Sequence, residues 1–368
     1  MSAREGGASG AGPWPALVWR ARPLAGLAGR AWAWACVTCL ALVLAACGAV
    51  PLAPQARHVA GPATGQARPP ANPTRRAAGG RAGEAVPDFS HVFLIVLENL
   101  GAAQAERLPY VATLARRFAT ATDYYAVAHP SLPNYLALTS GRTWVTSDCW
   151  FCYVQASNLA TSLTAAHISW GAYMQGLPGA CWLGPLWPFG LYAGKHDPFR
   201  YYTDVRRSRA LCARIQPLTV LTAALGAPGS ASVPRFVWIT PNLCTDGHDC
   251  PASFANGWLS SYVPRILASP AWRDGGVLFI TWDESGGGDD RGCCAAGNAA
   301  GGGGGRVLTL VIARGLPAGL TVSRPYNHYA LLRTIERAWG LPLLGRSAAP
   351  GVHAMGAFWP SRGMVSRR

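Results

Sequence analysis

His91-Val92-Phe93-Leu94-Ile95-Val96-Leu97 runs straight into Glu98-Asn99. Its apolar residues follow one another without alternation, which predicts a strand buried on both faces. Working outward, Phe236 to Thr240, Val277 to Trp282 and Val307 to Ile312 read the same way, and Ala121 to Ala126 reads as a further strand. Leu108 to Phe118, Tyr135 to Thr139, Trp258 to Leu267 and Tyr329 to Trp339 have helical spacing. Strands alternating with helices predict an α/β fold, a mostly parallel central sheet with helices on both faces. In such sheets ligands bind at the carboxyl ends of the strands.

The 368 residues are 50% hydrophobic and 13% charged, which supplies a large core and excludes wholesale disorder. A formal charge of +15 invites a nucleic-acid reading, but its distribution argues against one, and no nucleic-acid partner is expected. Residues 1–84 hold nine Arg against two Glu, and the remainder carries its smaller excess without a basic run. The remainder also holds the chain's only lysine, Lys195. Arg20, Arg22 and Arg30 precede an apolar run from Ala31 to Ala46, too short for the roughly 20 residues of a membrane-spanning helix. Leu44-Ala45-Ala46-Cys47 resembles a bacterial lipobox, so residues 1–46 read as a lipoprotein-type signal peptide, with lipid on Cys47 as the membrane attachment. Residues 47–88, rich in Ala, Pro, Gly and Arg, read as a flexible linker. A catalytic domain is expected over 89–345 and a tail over 346–368. The chain is expected to be exported, as a cell-surface or periplasmic lipoprotein or in secreted form.

Eight cysteines follow Cys47: Cys149, Cys152, Cys181, Cys212, Cys244, Cys250, Cys293 and Cys294. An even number in an exported chain reads as disulfides. Cys244 and Cys250 bracket one short loop and are the first pair expected. The alternative is a zinc site from Cys149, Cys152, Cys293 and Cys294, disfavoured because adjacent cysteines make awkward ligands.

Two strands end in polar pairs, Glu98-Asn99 and Asp283-Glu284, four side chains able to converge on a divalent cation or to cap following helices. Ser131, in Ala128-His129-Pro130-Ser131-Leu132-Pro133-Asn134-Tyr135, would lie at a helix N-terminus, as an anion site or as a plain N-cap. Lys195 retained among so many arginines suggests a compact charge that a guanidinium cannot replace. His248 lies in the Cys244–Cys250 loop with two Asp, and His328 reads equally as cap, packing residue or ligand. The apolar loop Cys181 to Tyr192 is expected to pack beneath Cys181 in preference to touching lipid.

Together these segments resemble the phosphoesterase family of bacterial acid phosphatases, phosphatidylinositol 3-phosphatase-like enzymes and non-specific phospholipases C, a branch of the alkaline phosphatase superfamily. The match rests on the strand ending in Glu98-Asn99, HPSLPNYLALTSG (129–141), KHDPF (195–199), TPNLCTDGHDC (240–250), FITWDE (279–284) and PYNHYALLRTIE (325–336). The resemblance implies an alkaline phosphatase-like fold and a divalent metal site at Glu98, Asn99, Asp283 and Glu284, although some members carry Asp where this chain has Glu284, and the uncharged Asn99 suggests that the site takes a single ion. It implies Ser131 as the nucleophile, His196 and His248 as contacts to the phosphoryl or leaving group, and Lys195 as a supporting phosphate contact. Asn134 and His328 fall among the substrate-binding positions. A glycine-rich insert after Glu284 departs from the pattern.

The expected activity is metal-dependent hydrolysis of phosphate monoesters through a phosphoserine, acid phosphatase type, with phosphoinositides or other lipid phosphates among the substrates. One alternative is a phospholipase C-type phosphodiesterase, disfavoured because such family members are usually longer. The other is a non-catalytic surface lipoprotein on the same fold.

Overall fold

In the computed structural model, residues 84–294 and 302–359 are described, all within the unit Arg75–Arg368. The expected signal peptide, the Cys47 lipid site and the linker up to residue 83 lie outside the described residues. The strands, in chain order, are β1 (Val92–Leu97), β2 (Ala119–Tyr125), β3 (Trp170–Met174), β4 (Leu186–Trp187), β5 (Tyr192–Ala193), β6 (Ile215–Pro217), β7 (Phe236–Thr240), β8 (Val277–Trp282), β9 (Arg306–Ala313), β10 (Thr321–Val322) and β11 (Tyr326–Asn327). Nine of them form one sheet in the order β10-β2-β9-β8-β1-β7-β3-β6, with β11 also beside β2, while β4 and β5 make a separate hairpin. Every pairing in the large sheet is parallel except those of β9, which runs antiparallel to β2 and β8.

The apolar run Val92–Leu97 is a central strand. β1 lies between β7 and β8, and all six of its side chains are buried. Successive side chains point to opposite faces, so burial of all six requires cover on both sides of the sheet. The helices Ser131–Ser140 and His328–Ala338 pack on one another, as do Pro109–Arg117 and Ala252–Ala268. In register, Leu97 of β1 lies opposite Trp282 of β8, so the two polar strand ends emerge side by side.

β9 runs back antiparallel beside β8, and a glycine stands at its start. Gly305 has φ +80°, and a Cβ there would sit 2.0 Å from Ser285 Oγ and 2.5 Å from the Asp289 carbonyl oxygen. No other residue fits that position.

The fold extends beyond the boundaries expected from sequence. At its start, Glu84 pairs with Arg333 Nη2 at 3.0 Å and His353 Nδ1 at 2.8 Å. At its end, Val352, Met355 and Phe358 are buried, and Trp359 meets Phe89 edge to face. The tail through Trp359 is therefore part of the core. β3, β6 and the helix Leu159–Ala165 were not expected from sequence, being short or lacking a clean apolar period. Among the described residues, no helix is long and apolar enough to cross a membrane.

All eight cysteines pair, as Cys149–Cys152, Cys181–Cys212, Cys244–Cys250 and Cys293–Cys294. This bears out the first expected pair and removes the zinc alternative, whose four sulfurs are spent in two disulfides.

Candidate active site

The strand ends supply the floor. Glu98 and Asp283 are buried, with Glu284 beside them. Asp283 Oδ1 accepts from the Asn99 amide at 3.0 Å and the Glu284 amide at 2.7 Å, while its buried Oδ2 has no hydrogen-bond partner. Asn99 takes φ 54°, a left-handed conformation that asparagine tolerates better than most residues. Its side-chain amide donates to Glu98 Oε2 at 3.4 Å.

β2 supplies the wall. Beyond its end, Asn134 stitches the connecting loop. Its Oδ1 accepts from the Val127 and Ala128 amides at 3.0 and 3.1 Å, and its Nδ2 donates to the Ala128 carbonyl at 2.8 Å. These bonds occupy Asn134 within the loop, so it shapes the approach to Ser131 and does not face the opening. Ser131 opens a helix whose ten residues are all buried. Its hydroxyl donates to Glu98 Oε2 at 3.0 Å and lies 3.5 Å from Glu284 Oε1. Tyr135, one turn on, donates its hydroxyl to Glu98 Oε1.

The remaining groups converge from loops. His196 Nδ1 lies 3.2 Å from Asp246 Oδ2, and its ring stacks on Tyr135 with centroids 5.4 Å apart. His196 Nε2 is 3.3 Å from Glu98 Oε1 but misaligned, which leaves that buried nitrogen without a hydrogen bond. Lys195 Nζ sits between Asp148 Oδ2, at 2.6 Å, and His248 Nε2, at 3.0 Å. Asp249 takes the other nitrogen of His248 at 2.6 Å. Asp148 Oδ1 accepts from the Leu132 amide at 2.9 Å, tying the lysine to the first turn of the serine helix.

His328 stands apart. It is fully buried, with Nε2 2.7 Å from the Asp283 carbonyl oxygen and Nδ1 3.1 Å from the Tyr124 hydroxyl. It braces the strand end from behind, and burial holds its pKa down at about 4.

The model of the phosphoesterase family matches residues 83–342, most of the chain. The chain belongs to the phosphoesterase family. Over 266 residues it is 27% identical to the phosphate-repressible acid phosphatase of Penicillium chrysogenum, covering 70% of this chain and 61% of that one. Over 273 residues it is 27% identical to a phosphatidylinositol-3-phosphatase of Mycobacterium tuberculosis, covering 72% and 82%. It spans about three fifths of the length of the fungal acid phosphatases it matches. A solved protein of the alkaline phosphatase superfamily from Vibrio parahaemolyticus aligns with TM-score 0.46 at 12% identity, covering 70% of this chain and 68% of that one.

The charge pattern of the site fits a cation. Burial pushes the Glu98 carboxyl well up, and the neighbouring Asp283 and Asp246 push it further. Asp283 is raised by burial and by Glu284 beside it, and Asp246 by burial. Burial drives His196 well below its ordinary value, with Lys195 and His248 adding to the effect. Carboxylates crowded away from water resist ionisation unless a positive charge sits among them. Glu98, His196 and His248 bring one donor atom each within 4.8 Å of one another, a set able to hold a metal ion. Glu98 belongs both to this set and to the set expected from sequence. His196 Nε2 and Asp283 Oδ2 are the buried polar atoms there with no partner of their own, whereas His248 is already engaged by Lys195.

Sequence reasoning passed over four residues of the site. Asp148 and Asp246 hold Lys195 and His196 in place, and Tyr135 holds Glu98. His129 Nδ1 bonds the Glu284 carboxylate and Nε2 lies 3.1 Å from the Asp289 carbonyl oxygen. The Glu284 contact raises the His129 pKa to about 9, so that glutamate has a cationic partner. His129 and Tyr135 stood inside the HPSLPNY segment beside Ser131, and Asp246 beside His248. Only Asp148, outside every segment that carries the family resemblance, gave no signal.

Proposed function

We propose that this phosphoesterase hydrolyses phosphate monoesters by attack of Ser131 Oγ, in a site that takes one divalent cation. The observation that carries the reading is the Ser131 hydroxyl. It is buried at a helix N-terminus, bonded to Glu98, and set among the carboxylate floor and the Lys195–His196–His248 cluster.

A phosphate monoester brings negative oxygens that repel a nucleophile, so the site must neutralise them. Glu98, Asn99, Asp283 and Glu284 would hold the cation, with His196 within reach. When bound, the cation supplies positive charge to the phosphoryl oxygens and to the developing serine alkoxide. The Ser131 proton already points at the Glu98 carboxylate, giving it an acceptor as the Oγ–P bond forms and the ester P–O bond breaks. Lys195, fixed by Asp148, offers a compact ammonium to the phosphoryl oxygens. His248, half-buried with Asp249 behind Nδ1, would turn Nε2 to the leaving oxygen and protonate it once Lys195 Nζ, 3.0 Å from that nitrogen, moves to the phosphoryl oxygens. Water then hydrolyses the phosphoserine and Ser131 recovers its proton.

The names of the fungal relatives support an acid phosphatase type of activity. The M. tuberculosis relative supports inositol-lipid phosphates among the substrates. Four disulfides support an exported chain, with the signal peptide and a lipid on Cys47 part of the same proposal. The decisive assay compares release from an aryl phosphate and from a phosphocholine diester, with Ser131→Ala alongside. Ser131→Ala should lose at least about a thousandfold in turnover while melting like the parent. Near-normal phosphate release from that variant would overturn the assignment, and preferential diester cleavage would make the chain a phosphodiesterase.

A further inference from the structure

The loop Cys181 to Tyr192, expected to pack beneath Cys181, instead turns its apolar tip outward. Phe189, at the turn between β4 and β5, is 89% exposed, and Trp182, Leu186 and Leu191 are exposed around it. Trp187 meets both Trp182 and Phe189 edge to face, with centroids 5.5 Å apart. A second aromatic segment stands next to it, with Phe151 67% exposed and Trp150 and Tyr153 also exposed. Burying such rings is worth far more than leaving them in water, and a contiguous apolar patch of this kind marks an interaction surface.

The surface is rigid. Buried Arg200 donates to the Trp150 carbonyl at 3.1 Å and to the Leu183 carbonyl at 2.9 Å, clamping the two segments together. Cys149–Cys152 closes one segment, and Cys181–Cys212 fixes the other. The surface also borders the site. The hairpin leads directly into Lys195, and the Gly190 and Leu191 carbonyls accept from Asn242 Nδ2 and the Leu243 amide, in the loop that carries His248.

Its charge selects the partner. No Asp or Glu occurs between Asp148 and Asp197. Arg206 lies 3.9 Å over the Tyr153 ring, and Arg207 and Arg209 are exposed on the segment stapled to Cys181 through Cys212. Exposed Trp, Phe and Tyr flanked by arginine suit the headgroup layer of a negatively charged bilayer, and Asp204, the carboxylate beside Arg206, is occupied by Asn158 Nδ2 at 2.9 Å. Amphipathic rings settle there, guanidiniums meet anionic headgroups and a carboxylate would be repelled. We infer that this aromatic rim docks on an anionic lipid surface, with the serine site opening beside the headgroups. The inference does not depend on the chemistry proposed for Ser131.

The test is hydrogen–deuterium exchange on the full chain, with and without vesicles of equimolar phosphatidylglycerol and phosphatidylcholine. Because the readout is local, membrane binding by any other part of the chain does not imitate it. Exchange should slow in residues 149–154 and 181–193 and stay unchanged in the helix Ala252–Ala268. Phe189→Ser should raise the lipid concentration giving half of that slowing by on the order of tenfold, while hydrolysis of a soluble aryl phosphate stays at the parent level. Ser131→Ala should show the parent's slowing without turnover, so the two proposals fail separately. Unchanged exchange in 181–193, or equal slowing in Phe189→Ser, would overturn the inference. Slowing that tracks protein concentration without vesicles would assign the rim to a second copy of the chain instead. Equal slowing on phosphatidylcholine alone would overturn the anionic preference.

Discussion

Asp148→Asn probes the strut that holds Lys195 over the serine helix. The amide keeps an oxygen for the Leu132 N–H, but it removes the charge facing Lys195 Nζ at 2.6 Å and can set an N–H against the ammonium. At that distance the bare attraction is about 6 kcal/mol with an effective dielectric of about 20. Desolvation offsets much of it, and Asp148 retains 29% side-chain exposure, so screening reduces it again. A net loss of about 2 kcal/mol remains, equivalent to roughly thirtyfold in kcat/KM if the whole of it is felt in the transition state. The assay is steady-state hydrolysis of an aryl phosphate at saturating divalent cation, run on Asp148→Asn, Lys195→Met and the double variant. Since Asp148 acts through Lys195, the double variant should be no worse than Lys195→Met alone. Full additivity of the two losses, or an Asp148→Asn rate within about threefold of the parent, would refute the strut.

Three further outcomes follow from other parts of the molecule. Stripping divalent cations with a chelator should abolish turnover and lower the melting temperature, and adding back one suitable cation should restore both; turnover untouched by exhaustive chelation would remove the cation from the site. Asn134→Ala leaves the buried Val127 and Ala128 amides without their acceptor, so denaturant unfolding should show a loss of about 2–5 kcal/mol, and a loss below about 1 kcal/mol would contradict its stitching role. Glu336, buried against Ser347 Oγ at 2.6 Å and the Leu344 amide at 2.8 Å, is pushed up to about 7 by burial. The folded state therefore holds this proton more tightly than the unfolded state, and the stability it confers is lost as pH rises from the ordinary glutamate range through about 7. Glu336→Gln removes that dependence, so variant and parent should diverge by about 3 kcal/mol between about pH 4 and pH 8, and parallel stability profiles would show that the proton is not held.

The sheet was legible because burial on both faces leaves an unmistakable mark on Val92–Leu97, Phe236–Thr240 and Val277–Trp282. β3 and β6 were not, since Trp170-Gly171-Ala172-Tyr173-Met174 mixes a glycine with bulky rings and β6 is only three residues long. The polar strand ends were visible as two pairs, but their adjacency depends on β1 pairing with β8 across a long separation, which no local pattern encodes. Ser131, Lys195 and His248 stood out by type and neighbours, and the family resemblance added His196. His328 was noted from the sequence and Asn134 from the resemblance, yet their hydrogen bonds turn both inward as braces, because nothing in a sequence says which way a polar side chain faces. Asp148 was silent for the converse reason: an isolated aspartate in a loop gains meaning only when the fold brings a lysine to it.

Lys195 has a practical consequence that follows from its solitude. With 31 arginines and one lysine in the sequence, an amine-acylating reagent finds a single side-chain target, and that target lies beside the proposed nucleophile. Its ammonium is held between Asp148 and His248, so acylation requires the pair to open. Whole-protein mass spectrometry would then count site occupancy directly. Each molecule whose lysine is shielded by a bound phosphate analogue stays one acyl group lighter, and the titration needs no engineered label and no turnover.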